Sequence, residues 1–225
     1  MSVNIYSKRV GINYCYIIKA EGCIMVDTGP PPSGKKIEKW LTNIPVNPQE
    51  IQLIILTHGH GDHVGSALGV KNFTGAQLAI HNDDRAMVED GEVAWPSAAS
   101  TWGHIARYLF RPLAPLMRFN TFKADVIIGD EGLSLKEYGI PGKIIHTPGH
   151  TPGSVSVLLE TGDAFVGCMT HNNFPFRLRP NLPIFAEDLS RLRESWKLLL
   201  DAGAKTIYPA HGNPFTSEEM LKVLS

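Results

Sequence analysis

A chain of 225 residues, 43% hydrophobic and 19% charged, has the make-up of a globular protein that buries its own core, which excludes a disordered or fibrous chain. Its formal net charge of -1 and pI near 6.7 offer no bulk attraction to nucleic acid or to an anionic membrane. Cys15, Cys23 and Cys168 form no CxxC pair, and no signal-like segment or long apolar stretch is present, so the expectation is a cytoplasmic protein without a membrane span.

Cys15–Lys19 and Cys23–Asp27 are short apolar runs joined by Ala20-Glu21-Gly22, which predicts a β-hairpin ending at Thr28-Gly29. Pro30 to Pro32 interrupt regular structure, and Ser33 is placed to cap a helix running to about Thr42. Ile51–Leu56 reads as a buried strand that stops at the sequence THGHGDH, residues 57–63. A short helix from Val64, a strand at Gln77–Ile80 and a helix at Asp83–Glu89 follow. Thr101–Phe119 carries apolar residues at helical spacing, divided by Pro112 and Pro115. Strands are predicted at Val126–Ile128, Lys143–His146, Ser154–Leu159, Ala164–Val166 and Thr206–Tyr208. Helices are predicted at Leu189–Ala202 and from Ser217. Strands with interspersed helices predict α/β layers, read as one domain over residues 1–225.

Nine histidines are distributed unevenly. His58, His60, Asp62 and His63 give the pattern HxHxDH where a buried strand ends, with Gly59 and Gly61 allowing the turn that lets alternate side chains converge. In this composition the pattern arises by chance about once in a thousand chains, so a metal site outweighs a solvated turn. His150, in TPGHT, and His211, in PAHG, also follow predicted strands. Three polar clusters at three strand ends predict one site at one sheet edge.

In this order, VDTG at 26–29, THGHGDH at 57–63, HTPGHTPGS at 146–154 and PAHG at 209–212 resemble the metallo-β-lactamase superfamily. The resemblance covers the chain from Asn13 to Gly212 and implies a four-layered αββα sandwich with its metal site at a sheet edge. It implies that His58, His60 and His150 hold one metal and that Asp62, His63 and His211 hold a second, with Asp27 and His146 supporting ligands. Cys168 stands where most dinuclear members carry a bridging aspartate. A thiolate there favours zinc, at one or two ions per chain, over iron or manganese, and a packed small hydrophobe is the alternative reading.

The chemistry implied is a metal-bound hydroxide attacking a carbonyl in a small-molecule substrate, with Asp62 orienting it. The glyoxalase II-like and lactonase-like branch suggests a thioester or lactone. A β-lactam hydrolase and a non-catalytic metal-binding regulator are the alternatives. Residues 95–122, with Trp102, Arg107 and Phe110, read as a helical lid over the substrate or as a homodimer interface. His171 reads as a pocket residue or a surface histidine, and His81 has no assigned role.

Overall fold

The computed structural model describes residues 2–91, 97–173 and 177–225, without the side chains of Phe110, Leu113 and Ala114. The expectations for Trp95 and for the Phe110 side chain therefore lie outside the described residues.

Six strands form the first sheet, in chain order: β1 (Asn4–Val10), β2 (Asn13–Lys19), β3 (Cys23–Val26), β4 (Ile51–Ile55), β5 (Gln77–His81) and β6 (Val126–Ile128). The first three pair antiparallel, and β3 to β6 run parallel. The second sheet has the order β12 (Phe215–Thr216), β11 (Thr206–Tyr208), β10 (Asp163–Phe165), β9 (Val155–Leu159), β8 (Gly142–His146) and β7 (Leu133–Ser134). Only its β10–β11 pair is parallel.

Side-chain alternation along the strands assigns each residue to a layer. Ile18, Ile24, Val26, Leu53 and Ile55 face inward and meet Ile144, Val155, Val157 and Phe165 of the second sheet. Their neighbours Ile17, Met25 and Ile54 face outward, onto Ile37, Trp40 and Leu41 of α1 (Gly34–Leu41) and Val70. The other outer layer is α6 (Leu189–Asp201), whose Leu192, Trp196 and Leu199 pack on Leu158, Ala164 and Ile207. Two sheets face to face with helices on both outer surfaces are the expected αββα sandwich.

The expected hairpin, the central strands and α6 are present within a residue or two of their predicted bounds. Strand β1 was not foreseen: most of its residues are partly or fully exposed, and an edge strand lacks the alternation that marks a half-buried one. The helix expected from Val64 begins earlier. Asp62 and His63 already lie in α2 (Gly61–Val64), and α3 (Ala67–Thr74) follows. Thr101–Phe110 forms a helix, counted here as α5 after α4 (Arg85–Glu89), and its continuation over Arg111–Met117 is a 3₁₀ turn system around the prolines.

Candidate metal centre

Every residue of the expected site leaves the sandwich at one edge. Asp27 follows β3, the 57–63 turn follows β4, His150 follows β8, Cys168 follows β10 and His211 follows β11. Parallel and antiparallel order brings these strand ends together, and the chain supplies these site side chains just after each of the strands stops.

The hydrogen bonds on the outer nitrogens establish what each ring presents to the centre. His63 Nδ1 donates to Asp27 Oδ2 at 2.8 Å, which turns its Nε2 toward Cys168 Sγ at 3.2 Å and Asp62 Oδ2 at 3.5 Å. His150 Nδ1 donates to the Phe185 carbonyl at 2.9 Å, and its Nε2 shares a hydrogen bond with His60 Nδ1 at 3.0 Å. His211 Nδ1 donates to the Ile12 carbonyl at 3.1 Å, and its Nε2 lies 3.3 Å from Asp62 Oδ2. The Thr57 hydroxyl donates to Asp27 Oδ2 at 2.9 Å and lies 3.1 Å from His58 Nδ1. It therefore accepts from His58, whose Nε2 is buried with no hydrogen-bond partner among the described residues. His60 uses the opposite nitrogen: Nδ1 faces the centre and its buried Nε2 is the one without a partner.

Ring nitrogens from several histidines converge beside a carboxylate and a thiol, and this arrangement needs positive charge at its middle. A metal ion supplies it, and without one protons do, since Cys168 and the neighbouring carboxylates outweigh burial and raise His63 well above the ordinary imidazole value and His211 to about 9. The rings also cross at wide angles: 88° between His58 and His60, 87° between His58 and His150, and 87° between His60 and His150. One ion can lie in the plane of each such ring. Ligating atoms of His58, His150 and Cys168 lie within 4.8 Å of one another, as do those of His63, Cys168 and His211. Cys168 belongs to both groups. The donor set and its geometry fit a borderline-soft ion such as zinc.

Electrostatics follow the same arrangement. Burial raises the Cys168 thiol, but the imidazoles of His63, His211, His150 and His58 outweigh it and hold the thiol well below its ordinary value. Burial likewise raises the Asp62 carboxyl, and His63 and His211 bring it well below the usual carboxylate range. Burial lowers His60 to about 3, with His150 contributing. The thiolate and carboxylate are the ligand forms of those groups.

Asp27 adopts a left-handed φ of 57°, a conformation that Asp tolerates better than most residues. It also accepts from the Thr57 amide at 2.8 Å. Gly167 has a φ of 52°, and a Cβ there would stand 2.7 Å from the Thr57 hydroxyl, so Cys168 reaches the centre only past a glycine.

His171 is buried with its ring against that of His211, centroids 5.0 Å apart, which places it at the centre and not on the surface. His146 Nε2 donates to the Pro152 carbonyl at 2.8 Å, in the loop that carries His150. Trp102 and Arg107 are exposed on α5. The buried Ala106 of the same helix packs with Ile184 and Phe185, the latter being the residue whose carbonyl orients His150. Sequence reading missed Thr57, Phe185 and Asn13, whose Nδ2 donates to Asp62 Oδ2 at 3.2 Å. Thr57 had a signal, its place beside His58 in the motif, whereas backbone carbonyls leave none. A further grouping, His81, Asp83, Asp130 and His146, is arranged differently. The rings of His81 and His146 are stacked with only 16° between planes, so no single ion lies in both ring planes.

An αββα sandwich with a histidine-rich centre at its edge defines a class of metal-dependent hydrolases. Residues 9–211 match the metallo-beta-lactamase superfamily, and the chain belongs to it. Similar sequences include hydroxyacylglutathione hydrolase GloC of Haemophilus influenzae, 29% identical over 63% of this chain and 63% of that protein. The N-acyl homoserine lactonase of a Bacillus species is 26% identical over 66% of this chain and 58% of its own length. The matches thus span somewhat less than two thirds of these relatives. Among solved structures, the B3 metallo-beta-lactamase BLEG-1 has a TM-score of 0.72 at 19% identity, covering 97% of both chains. An archaeal superfamily protein from Sulfolobus tokodaii has a TM-score of 0.70 at 20% identity, over 100% of this chain and 86% of that one. These structural likenesses bear on the fold.

Proposed function

We propose that this metal-dependent hydrolase cleaves a carbonyl ester-type bond, a thioester or a lactone, in a small-molecule substrate. His58, His60 and His150 would hold one zinc ion, and Asp62, His63 and His211 would hold a second, with Cys168 as a further ligand. The observation that carries this reading is the convergence of buried ring nitrogens on one space beside Asp62 and Cys168. The thioester-or-lactone preference is supported by the two relatives named for hydrolysing an acylglutathione and a homoserine lactone.

When bound, zinc supplies a hydroxide nucleophile at neutral pH and polarises the scissile carbonyl. Asp62, held ionised by its histidine neighbours and steered by Asn13, orients the attacking water, takes the proton it sheds and returns it to the thiol or alcohol that leaves as the carbonyl bond breaks. Asp27, with Thr57, fixes the tautomers of His63 and His58. His146 holds the His150 loop through Pro152, and His171 lines the pocket beside His211. The chain is one domain, and its 95–122 segment is a lid, supported by the packing of Ala106 on Phe185 and of Met117 over Gly61. Trp102 and Arg107 of that lid meet the acyl portion of the substrate. Three unpaired cysteines support a reducing, cytoplasmic setting. Among the described residues no helix is long and apolar enough to cross a membrane.

The test is zinc content together with a panel of thioesters, lactones and β-lactams. Zinc at one to two ions per chain and turnover of a thioester or lactone are expected, with turnover and the first-site zinc lost in His58→Ala. Fewer than about 0.3 ions per chain, not restored by added zinc, would refute the site. Turnover of β-lactams alone would refute the substrate class.

A further inference from the structure

Asp84 ends the turn Asn82–Asp84 after β5 and is fully buried. Its side chain reaches away from its own strand and takes three hydrogen bonds. Oδ2 accepts from the Gly59 amide at 2.9 Å and from the Thr151 hydroxyl at 2.7 Å, and Oδ1 accepts from the Gly153 amide at 2.9 Å.

The addresses of those donors matter. Gly59 lies between His58 and His60. Thr151 adjoins His150, and Gly153 is two residues further along the same loop. The 57–63 turn belongs to the first sheet and the 147–153 loop to the second. Strand pairing does not connect the two sheets, so nothing in either ladder sets the separation of His60 from His150. One backbone bond, Val155 N to the Thr57 carbonyl at 2.8 Å, joins the ends of the two segments; between the ligands themselves, the one carboxyl group bonded to both loops sets it. Thr151 is itself tied to Ser154 at 2.8 Å, which leaves its hydroxyl little freedom to find another partner.

We propose that Asp84 is a positioning residue for the first metal: it sets the spacing of His58 and His60 against His150 without touching ion or substrate. The inference rests on the assignment of those three histidines as ligands. A short acidic side chain is required, because a planar carboxyl offers the two differently directed acceptors that the Gly59 and Gly153 amides need. An asparagine offers one oxygen and one NH₂ group, so one of those amides is left facing a donor, and the loop it belongs to moves off.

The experiment compares zinc affinity in metal-buffered titrations, and the visible spectrum of the cobalt-substituted protein, for wild type, Asp84→Asn and Asp84→Glu. Ile37→Val serves as the control, since it trims a buried side chain of α1 in the outer layer, an element that carries none of the ligands. Asp84→Asn is expected to weaken the first zinc site on the order of 10- to 100-fold, the usual effect of losing a group that orients ligands. Its cobalt bands should shift, while Ile37→Val should lose stability and leave both readouts unchanged. Asp84→Glu keeps the charge but lengthens the arm, and should shift the cobalt bands as well. Wild-type zinc affinity and cobalt bands in Asp84→Asn, with His58→Ala still losing one of its zinc sites, would overturn the inference alone. Unchanged zinc stoichiometry and affinity in His58→Ala would instead overturn the ligand assignment beneath it.

Discussion

Replacing Asp27 by asparagine tests how the first layer behind the ligands controls them. The backbone is not at issue, because asparagine accepts the left-handed φ of 57° as readily as aspartate. Asp27 accepts hydrogen bonds from the Thr57 amide at 2.8 Å, the Thr57 hydroxyl at 2.9 Å and His63 Nδ1 at 2.8 Å, at a position 2% exposed. An amide has a single acceptor oxygen. If that oxygen faces Thr57, the NH₂ group faces His63 Nδ1, which must then give up its proton. The proton moves to His63 Nε2, the nitrogen that faces Cys168 at 3.2 Å, and the ring is lost as a ligand. If the oxygen faces His63, the Thr57 amide is left buried and unpaired. The second outcome costs about 1–3 kcal/mol of folding stability, and the first lowers second-site metal affinity on the order of 10- to 100-fold. Urea unfolding of the metal-free protein and zinc titration of the folded one measure the two effects separately. Unfolding within about 0.5 kcal/mol of wild type, the range of an indifferent surface change, together with unchanged uptake of both zinc ions, would refute the reasoning.

Cys168→Ser should weaken the second zinc more than the first, and chelator should expose Cys168 to iodoacetamide in wild type while added zinc protects it again; alkylation indifferent to chelator would remove Cys168 from the site. A Cβ at Gly61 would collide with the Met117 carbonyl, so Gly61→Ala should displace the 111–117 segment. Steady-state kinetics should then show a raised KM with zinc content intact, whereas an unchanged KM would argue against a lid in that segment.

The sequence alone determined the fold class and the elements that carry the site. Buried-strand runs that stop at polar turns are visible in one dimension, and HxHxDH, TPGHT and PAHG each follow such a run. What could not be read was how the turns face one another. Whether Nδ1 or Nε2 of a histidine points inward depends on an acceptor supplied from elsewhere: a carbonyl at Ile12 for His211, one at Phe185 for His150, and the carboxyl of Asp27 for His63. Those partners are 199, 35 and 36 residues away in the chain, and two of the three are backbone atoms that any residue type would supply. His171 could be read either as a pocket or as a surface residue, because nothing local reveals that Met169 and Thr170 bring it under His211. Asp84 lies in an ordinary polar turn, Asn82-Asp83-Asp84, with nothing to separate it from its neighbour. Only the packing of two sheets that share no strand pairing turns one of those two aspartates inward, where its carboxyl meets donors from both loops, and leaves Asp83 exposed to solvent.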